Sequence, residues 1–305
     1  MIKIILSFDV EGDFHKYIHS PYIWHKIKKT PEANYYSYTP SRFNATKNYF
    51  FWKLNNLRNY ASGAEGFKNI LSFLEAEQIP ASLNLCGYIY TKKPLKIPLK
   101  MSWAIGKLAE NHYFWEKYIN NAPFLDILEN INNKNLDFGL HGFIHEAFPL
   151  EDNKAMNMIL EKSIESGKEM GFDLKTFVPP FNMSFNNNER EVLKIMRKNK
   201  ISSFRTTGKD DYFGSFSHKK AVEKVKNKNG MKFIYLSDSI EGNYNKEKIK
   251  LIIENIIKNY DKNKIYCIMA HDYSFKTNKN LFILMKELRK IQENYYVKFT
   301  NLKKL

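Results

Sequence analysis

The chain has 305 residues, 43% hydrophobic and 26% charged, ordinary globular values that exclude a disordered tail or a fibre. Thirteen Gly and ten Pro exclude a collagen-like or linker-dominated chain. Forty-eight Lys and Arg against 32 Asp and Glu leave a net charge of +16. That balance favours anionic partners (nucleic acid, lipid headgroups, phosphorylated or lipid-diphosphate substrates) without choosing among them.

In chain order, residues 2–8 form an apolar, β-branched run without polar alternation, the pattern of a strand covered on both faces. Phe67, Ile70, Leu71 and Leu74 have the spacing of an amphipathic helix, which Pro80 stops. Residues 81–86 and 136–140 read as two more buried strands. The spacing predicts a helix over 153–170 that ends at Gly171, a residue suited to the C′ position. Residues 177–181 carry two prolines at a strand end, and a helix over 188–198 precedes a short strand at 201–205. A strand at 231–236 is followed by the helical stripe Ile249, Ile252, Ile253, Ile256 and Ile257. A strand at 265–270, a helix bearing Leu281, Leu284, Leu288 and Ile291, and a strand at 296–299 close the chain. Strands alternating with helices argue for an α/β fold of parallel βα units around one core, hence one domain over 1–305.

Two stretches interrupt the alternation, at about 14–60, dense in aromatics interleaved with Lys and Arg, and at about 92–123, which includes Trp103, Phe114 and Trp115. They follow predicted strand ends, where αβ barrels carry substrate-facing loops. They read as insertions that either pack onto the barrel or offer flat faces to sugar rings. No nucleic-acid motif accompanies them, so no nucleic acid is expected as a partner. Cys86 and Cys267 sit in apolar runs and read as buried and reduced. The first residues lack the length and cleavage site of a signal peptide, and no apolar window approaches the roughly 18 residues of a membrane span. The expectation is a cytoplasmic protein, with peripheral membrane contact compatible with its charge.

Chemistry concentrates at predicted strand ends. In Ser7-Phe8-Asp9-Val10-Glu11-Gly12-Asp13 a buried strand runs into alternating carboxylates. With a side-chain period of two, Asp9, Glu11 and Asp13 point the same way. Such carboxylates suit a cation site or proton transfer, because unpaired buried charge is costly; solvated turn residues or a hard-ion oxygen site are the alternatives. In His141-Gly142-Phe143-Ile144-His145-Glu146 the two His lie four apart. On a helical turn they would share one face and one metal. Two imidazoles, a carboxylate and a water suit Zn²⁺ first, with Co²⁺, Ni²⁺ or Mn²⁺ also compatible. Val178-Pro179-Pro180-Phe181-Asn182 ends another strand, and Ala270-His271-Asp272 ends a late one. His271 there is placed to protonate a leaving group, or is a hydrogen-bonded core histidine.

These four segments, in this order, resemble the polysaccharide deacetylases of the NodB-homology type, carbohydrate esterase family 4. The resemblance covers most of the chain and implies a distorted (β/α) barrel of about seven strands, with the aromatic stretches as insertions. It implies a hydrolase that removes an N-acyl group from an amino sugar, with one divalent metal ion as cofactor. It implies Asp9 as base, Glu11, His141 and His145 as metal ligands, His271 as acid and the Phe181 backbone N–H as oxyanion donor. Pro180, Asn182, Arg205, Asp210 and Asp211 are implied near the substrate. The Arg that usually orients the base is replaced by Val178, and Arg205 from the next strand end is the candidate substitute. The Gly-Leu-His sequence and the missing Arg are similar to the branch that deformylates lipid-linked formamido sugars. A catalytically inactive glycan-binding relative is the other alternative. With the charge, a phosphorylated or lipid-linked acylated amino sugar is the expected substrate.

Overall fold

A computed structural model describes residues 2–12, 63–92, 122–131, 134–146, 148, 151–180, 189–206, 225–240, 246–258, 265–275 and 279–305. Most of both aromatic stretches lies outside these residues. The strands are β1 (Ile2–Val10), β2 (Ala81–Leu85), β3 (Leu136–Leu140), β4 (Thr176–Phe177) and β5 (Ser203–Thr206). They continue with β6 (Lys226–Lys228), β7 (Met231–Tyr235), β8 (Asp238–Ile240), β9 (Ile265–His271) and β10 (Val297–Thr300). The helices are α1 (Gly63–Glu77), α2 (Ala122–Glu129), α3 (Asn153–Glu169), α4 (Glu189–Lys198), α5 (Lys246–Lys258) and α6 (Lys279–Asn294).

All ten strands of the described residues belong to one sheet, ordered β6-β7-β5-β4-β3-β2-β1-β9-β8, with β10 also on β1. Every pairing is parallel except β6 with β7. β7 pairs with β5 and β8 with β9, yet only Leu236 and Ser237 separate β7 from β8. Leu236 donates its N–H to the Thr206 carbonyl (2.8 Å) and Ser237 donates to that of Cys267 (2.9 Å). One continuous segment therefore links β7, next to one end of the path, with β8 at the other end, and the sheet curls into a distorted barrel. Counting β7–β8 as one stave beside β1 to β5 and β9 recovers the seven strands expected.

Alternation within β1 sets the two faces. Ile2, Ile4, Leu6, Phe8 and Val10 enter the large core, which includes Phe67, Ile70 and Leu74 of α1 and Leu284 and Leu288 of α6. Ile5 instead joins a small cluster with Val178, Ile234, Cys267, Met269 and Leu302. Ser7 and Asp9 share the face of Ile5, so the inward row turns polar toward the C-terminal end of the strand. Both cysteines are buried and free, as expected.

α3 shows how locally the helices are encoded. The Asp152 carboxylate caps its start by accepting the Ala155 N–H (2.8 Å). At its end Gly171 has φ +79°, Phe172 donates to Gly167 O and Gly171 to Lys168 O, a Schellman motif that closes the helix where the sequence predicted. Three elements were not anticipated: α2, β6 and β8. The side chains of Lys226, Asn227 and Lys228 are all exposed, so β6 carries no hydrophobic period; Asp238-Ser239-Ile240 is too short and polar to read as a strand. No helix among the described residues is long and apolar enough to cross a membrane.

Candidate active site

Parallel pairing brings the chemistry-bearing residues to one rim, at the C-terminal ends of the strands. Asp9 is in register with Asn84 of β2 on one side and His271 of β9 on the other. Glu11 follows β1 by one residue and His141 follows β3 directly. Asp9, Glu11, His141, His145 and His271 are all buried.

Asp9 is held from two directions. Arg205, fully buried, reaches across the barrel from β5 and donates Nη1–H to Asp9 Oδ1 (2.9 Å) and Nη2–H to Asp9 Oδ2 (2.5 Å). The same Nη1 donates to Ser7 Oγ (2.7 Å). Asn84 donates Nδ2–H to Asp9 Oδ1 and to Ser7 Oγ, both at 2.9 Å. Room for this amide comes from Gly139 of β3, where an added Cβ would stand 2.7 Å from Asn84 Oδ1. Burial alone would raise the Asp9 pKa; the positive charge facing it, the Arg205 guanidinium first, outweighs it and holds the carboxyl below its ordinary value. Asp9 is thus an ionised, oriented carboxylate. Val178, at the position of the expected Arg, buries its side chain in the small cluster and accepts the His141 Nδ1–H at its carbonyl (3.0 Å).

Glu11 Oε1 is the meeting point of three imidazoles, at 2.9 Å from His145 Nε2, 3.1 Å from His271 Nε2 and 3.5 Å from His141 Nε2. The ligand atoms of Glu11, His141 and His145 lie within 4.8 Å of one another. The donor set fits a divalent cation on chemical grounds. A carbonyl only accepts, so the His141 Nδ1 contact puts a proton on Nδ1, and in the neutral ring Nε2 is then the lone-pair atom facing a carboxylate oxygen. His141 Nε2 is buried and has no hydrogen-bond partner among the described residues. A lone pair set against a carboxylate is relieved by a cation between them, and a second partner on Nδ1 is the usual support of a ligating histidine. Burial lowers the His145 pKa and outweighs the Glu11 charge, which keeps that ring neutral as a ligand must be. The Glu11 carboxyl, raised by burial, is brought well below its ordinary range by the imidazoles facing it, His145 and His271 first, to the extent that they carry protons.

The His pair is not on a helix, which corrects the sequence expectation. Residues 141–146 form an irregular loop with positive φ at Gly142 (+72°) and His145 (+60°), conformations no α-helix accommodates. The rings still meet, with centroids 4.9 Å apart. Glu146, fully buried, accepts N–H groups of Phe143 and Ile144. Across the rim Asp272 accepts the Gly12 N–H (2.9 Å) and Tyr88 donates its hydroxyl to the Glu11 carbonyl, fixing the turn that follows β1. The His271 ring stacks on Tyr273, with centroids 4.8 Å apart. Ser7, Asn84, Tyr88, Glu146 and Asp272 were not singled out from the sequence; only their nearness to strand ends could have flagged them.

Pro180 is buried beside Gly142, where an added Cβ would stand 3.0 Å from its Cγ. Arg205 contacts Asp9 rather than lying open to a ligand. Asp13, Phe181, Asn182, Asp210 and Asp211 lie outside the described residues.

No protein-family model and no curated protein matches the chain. Solved structures do. A protein described as a polysaccharide deacetylase from Mycobacterium smegmatis aligns over 99% of this chain and 88% of its own, with 12% identity and a TM-score of 0.53. Puue allantoinase aligns over 98% and 87%, with 11% identity and a TM-score of 0.56. A 4-alpha-glucanotransferase from Thermococcus litoralis aligns over 99% of this chain but 40% of its own, with 11% identity and a TM-score of 0.51. Three differently named activities on one scaffold leave function to the rim residues. The chain has the barrel fold of the polysaccharide deacetylases, as its motif order implied.

Proposed function

We propose that the chain is a metal-dependent hydrolase that removes an N-acyl group from an amino sugar, built as one barrel domain with the aromatic stretches as insertions. The observation that carries this reading is the convergence of Glu11, His141 and His145 beside a carboxylate, Asp9, that Arg205 keeps ionised. Glu11, His141 and His145 would hold a divalent ion, Zn²⁺ by donor type, which polarises an acyl carbonyl and acidifies water. Asp9 takes the proton of the attacking water, with its carboxylate plane fixed by Arg205 and Asn84. As the amide C–N bond breaks, His271 gives a proton to the departing amine, and the products are a carboxylic acid and a free amino sugar. Base or acid groups of this kind contribute about 10²–10⁴ in rate each. The Phe181 N–H is the proposed oxyanion donor, and Pro180, Asn182, Asp210 and Asp211 are proposed near the sugar.

Val178 in place of the usual Arg supports a second reading, formyl rather than acetyl removal from a lipid-linked sugar, and the basic charge suits such a carrier. The test is release of acetate or formate from a panel of acylated amino sugars by the Zn²⁺-loaded chain. His141→Ala and Asp9→Asn should both lose activity, and only His141→Ala should lose the metal. Full activity in Asp9→Asn would remove the assigned base. Glycan binding without release by the loaded wild type would favour an inactive binding relative.

A further inference from the structure

The loop that carries both histidines has to aim two rings at Glu11 without the regularity of a helix. Its backbone turns at Gly142 (φ +72°) and at His145 (φ +60°), the second a left-handed conformation that is strained for a residue with a side chain. Such strain persists only where the surroundings hold it. The loop carbonyls are held from outside, because Gly87 donates its N–H to Gly142 O (3.0 Å) and Tyr88 donates to Phe143 O (2.9 Å). The loop N–H groups are held from within. Glu146 accepts the Phe143 N–H at both carboxylate oxygens (3.0 and 2.9 Å) and the Ile144 N–H at Oε2 (2.8 Å). Gly142 makes space for that carboxylate, since a Cβ there would stand 2.6 Å from Glu146 Oε1.

From this arrangement we infer that Glu146 is a positioning residue for metal binding: it staples the Phe143–Ile144 backbone so that His141 and His145 are preorganised toward Glu11. The inference rests on reading Glu11, His141 and His145 as the ligands. Glu146 neither ligates nor transfers a proton. It fixes the loop that does the ligating, and Gly142 is its steric counterpart.

The test titrates the metal-free full chain with Zn²⁺ against a competing chromophoric chelator, and follows thermal unfolding of each metal-free protein. Glu146→Ala and Gly142→Ala should each weaken Zn²⁺ binding by about 10–100-fold, the range for supporting partners of metal ligands. Glu146→Gln, which keeps one acceptor oxygen, should fall between them and the wild type. In the double variant the clash with the carboxylate is gone and only the φ +72° strain and the Pro180 contact remain at position 142, so the loss should fall short of the sum of the two single losses, a non-additivity that independent destabilisation does not produce. Wild-type Zn²⁺ affinity in Glu146→Gln and Glu146→Ala would overturn the staple and leave the ligand assignment standing. A wild-type chain that binds no Zn²⁺ would overturn both. If Glu146→Ala unfolds, Glu146→Gln decides alone, and unchanged affinity there counts against the staple.

Discussion

At the rim of the barrel Asp9 and Glu11 are buried beside Arg205 and three histidines; at the opposite end Asp137 is buried beside a hydroxyl and a backbone amide. Asp137 is the second residue of β3, and its Oδ2 accepts from Ser82 Oγ (3.3 Å) and from the Lys303 N–H (3.1 Å). Its Oδ1 has no hydrogen-bond partner among the described residues. Burial raises its pKa to about 6, more than those two donors can offset. Asp9 and Glu11 are pushed the other way, whereas burial raises Glu146 and Asp272, held at the rim mainly by backbone N–H groups, as it raises Asp137. Similar burial thus gives opposite shifts, decided by how much positive charge faces the carboxyl. Holding charge in the interior is costly, so a cluster that does so points to chemistry, whereas the floor cluster serves the fold.

The sharpest way to break this contrast is to neutralise one acid at each end. Asp9→Asn should lower acyl release by about 10²–10⁴ while metal content stays at the wild-type level. Asp137→Asn should leave the turnover number within about twofold, since it lies at the other end of the strands. Comparable losses from both would erase the distinction. Next in size, Arg205→Met leaves the Asp9 charge buried without its partner and should cost about 3–5 kcal/mol in urea unfolding. Adding Asp9→Asn to that variant should restore part of the loss. An additive double variant would mean the pair is not coupled.

A smaller effect concerns pH. The folded pKa of Asp137, about 6, lies above its ordinary 3.8, so the folded chain binds that proton more tightly than the unfolded one. Its contribution to stability is complete below about 3.8 and is lost as the pH rises through about 6. Asp137→Asn should therefore gain about 1–3 kcal/mol over wild type at pH 8 and nothing at pH 3.5, by denaturant unfolding at each pH. A gain independent of pH would dismiss the titration. Smallest of all is Lys303→Ala. It removes an exposed ion pair with Asp173 (2.8 Å) but keeps the backbone N–H on Asp137, and should cost less than about 1 kcal/mol.

Much of this contrast was readable in advance at the rim. The apolar run of β1 and the carboxylates at its end predicted both the strand and its delivery of Asp9 and Glu11. The order of His141, His145 and His271 after later strands predicted their meeting. The path taken by the His pair was not readable: a spacing of four suggests a helix, but Gly142 and His145 take left-handed conformations and Glu146 occupies the loop amides. Nor does local pattern join Arg205 to Asp9, 196 positions apart and on strands that are not neighbours. The floor was opaque for the same reason. Asp137 in a strand reads as an interruption until Leu302 and Lys303 arrive from the end of the chain and donate to Ser82 and Asp137.

β1 shares one flank between two strands: residues 2–5 pair with β10 and residues 6–10 with β2, while β9 covers the other flank. During synthesis the first strand emerges long before β9 and β10 exist. At about 5–20 residues per second, its hydrogen-bonding edges wait on the order of tens of seconds for those partners. Pairings this distant along the chain close slowly. A nascent chain with an exposed isoleucine-rich edge of that duration is a natural client for chaperones, and heterologous expression should respond to slower translation or lower temperature.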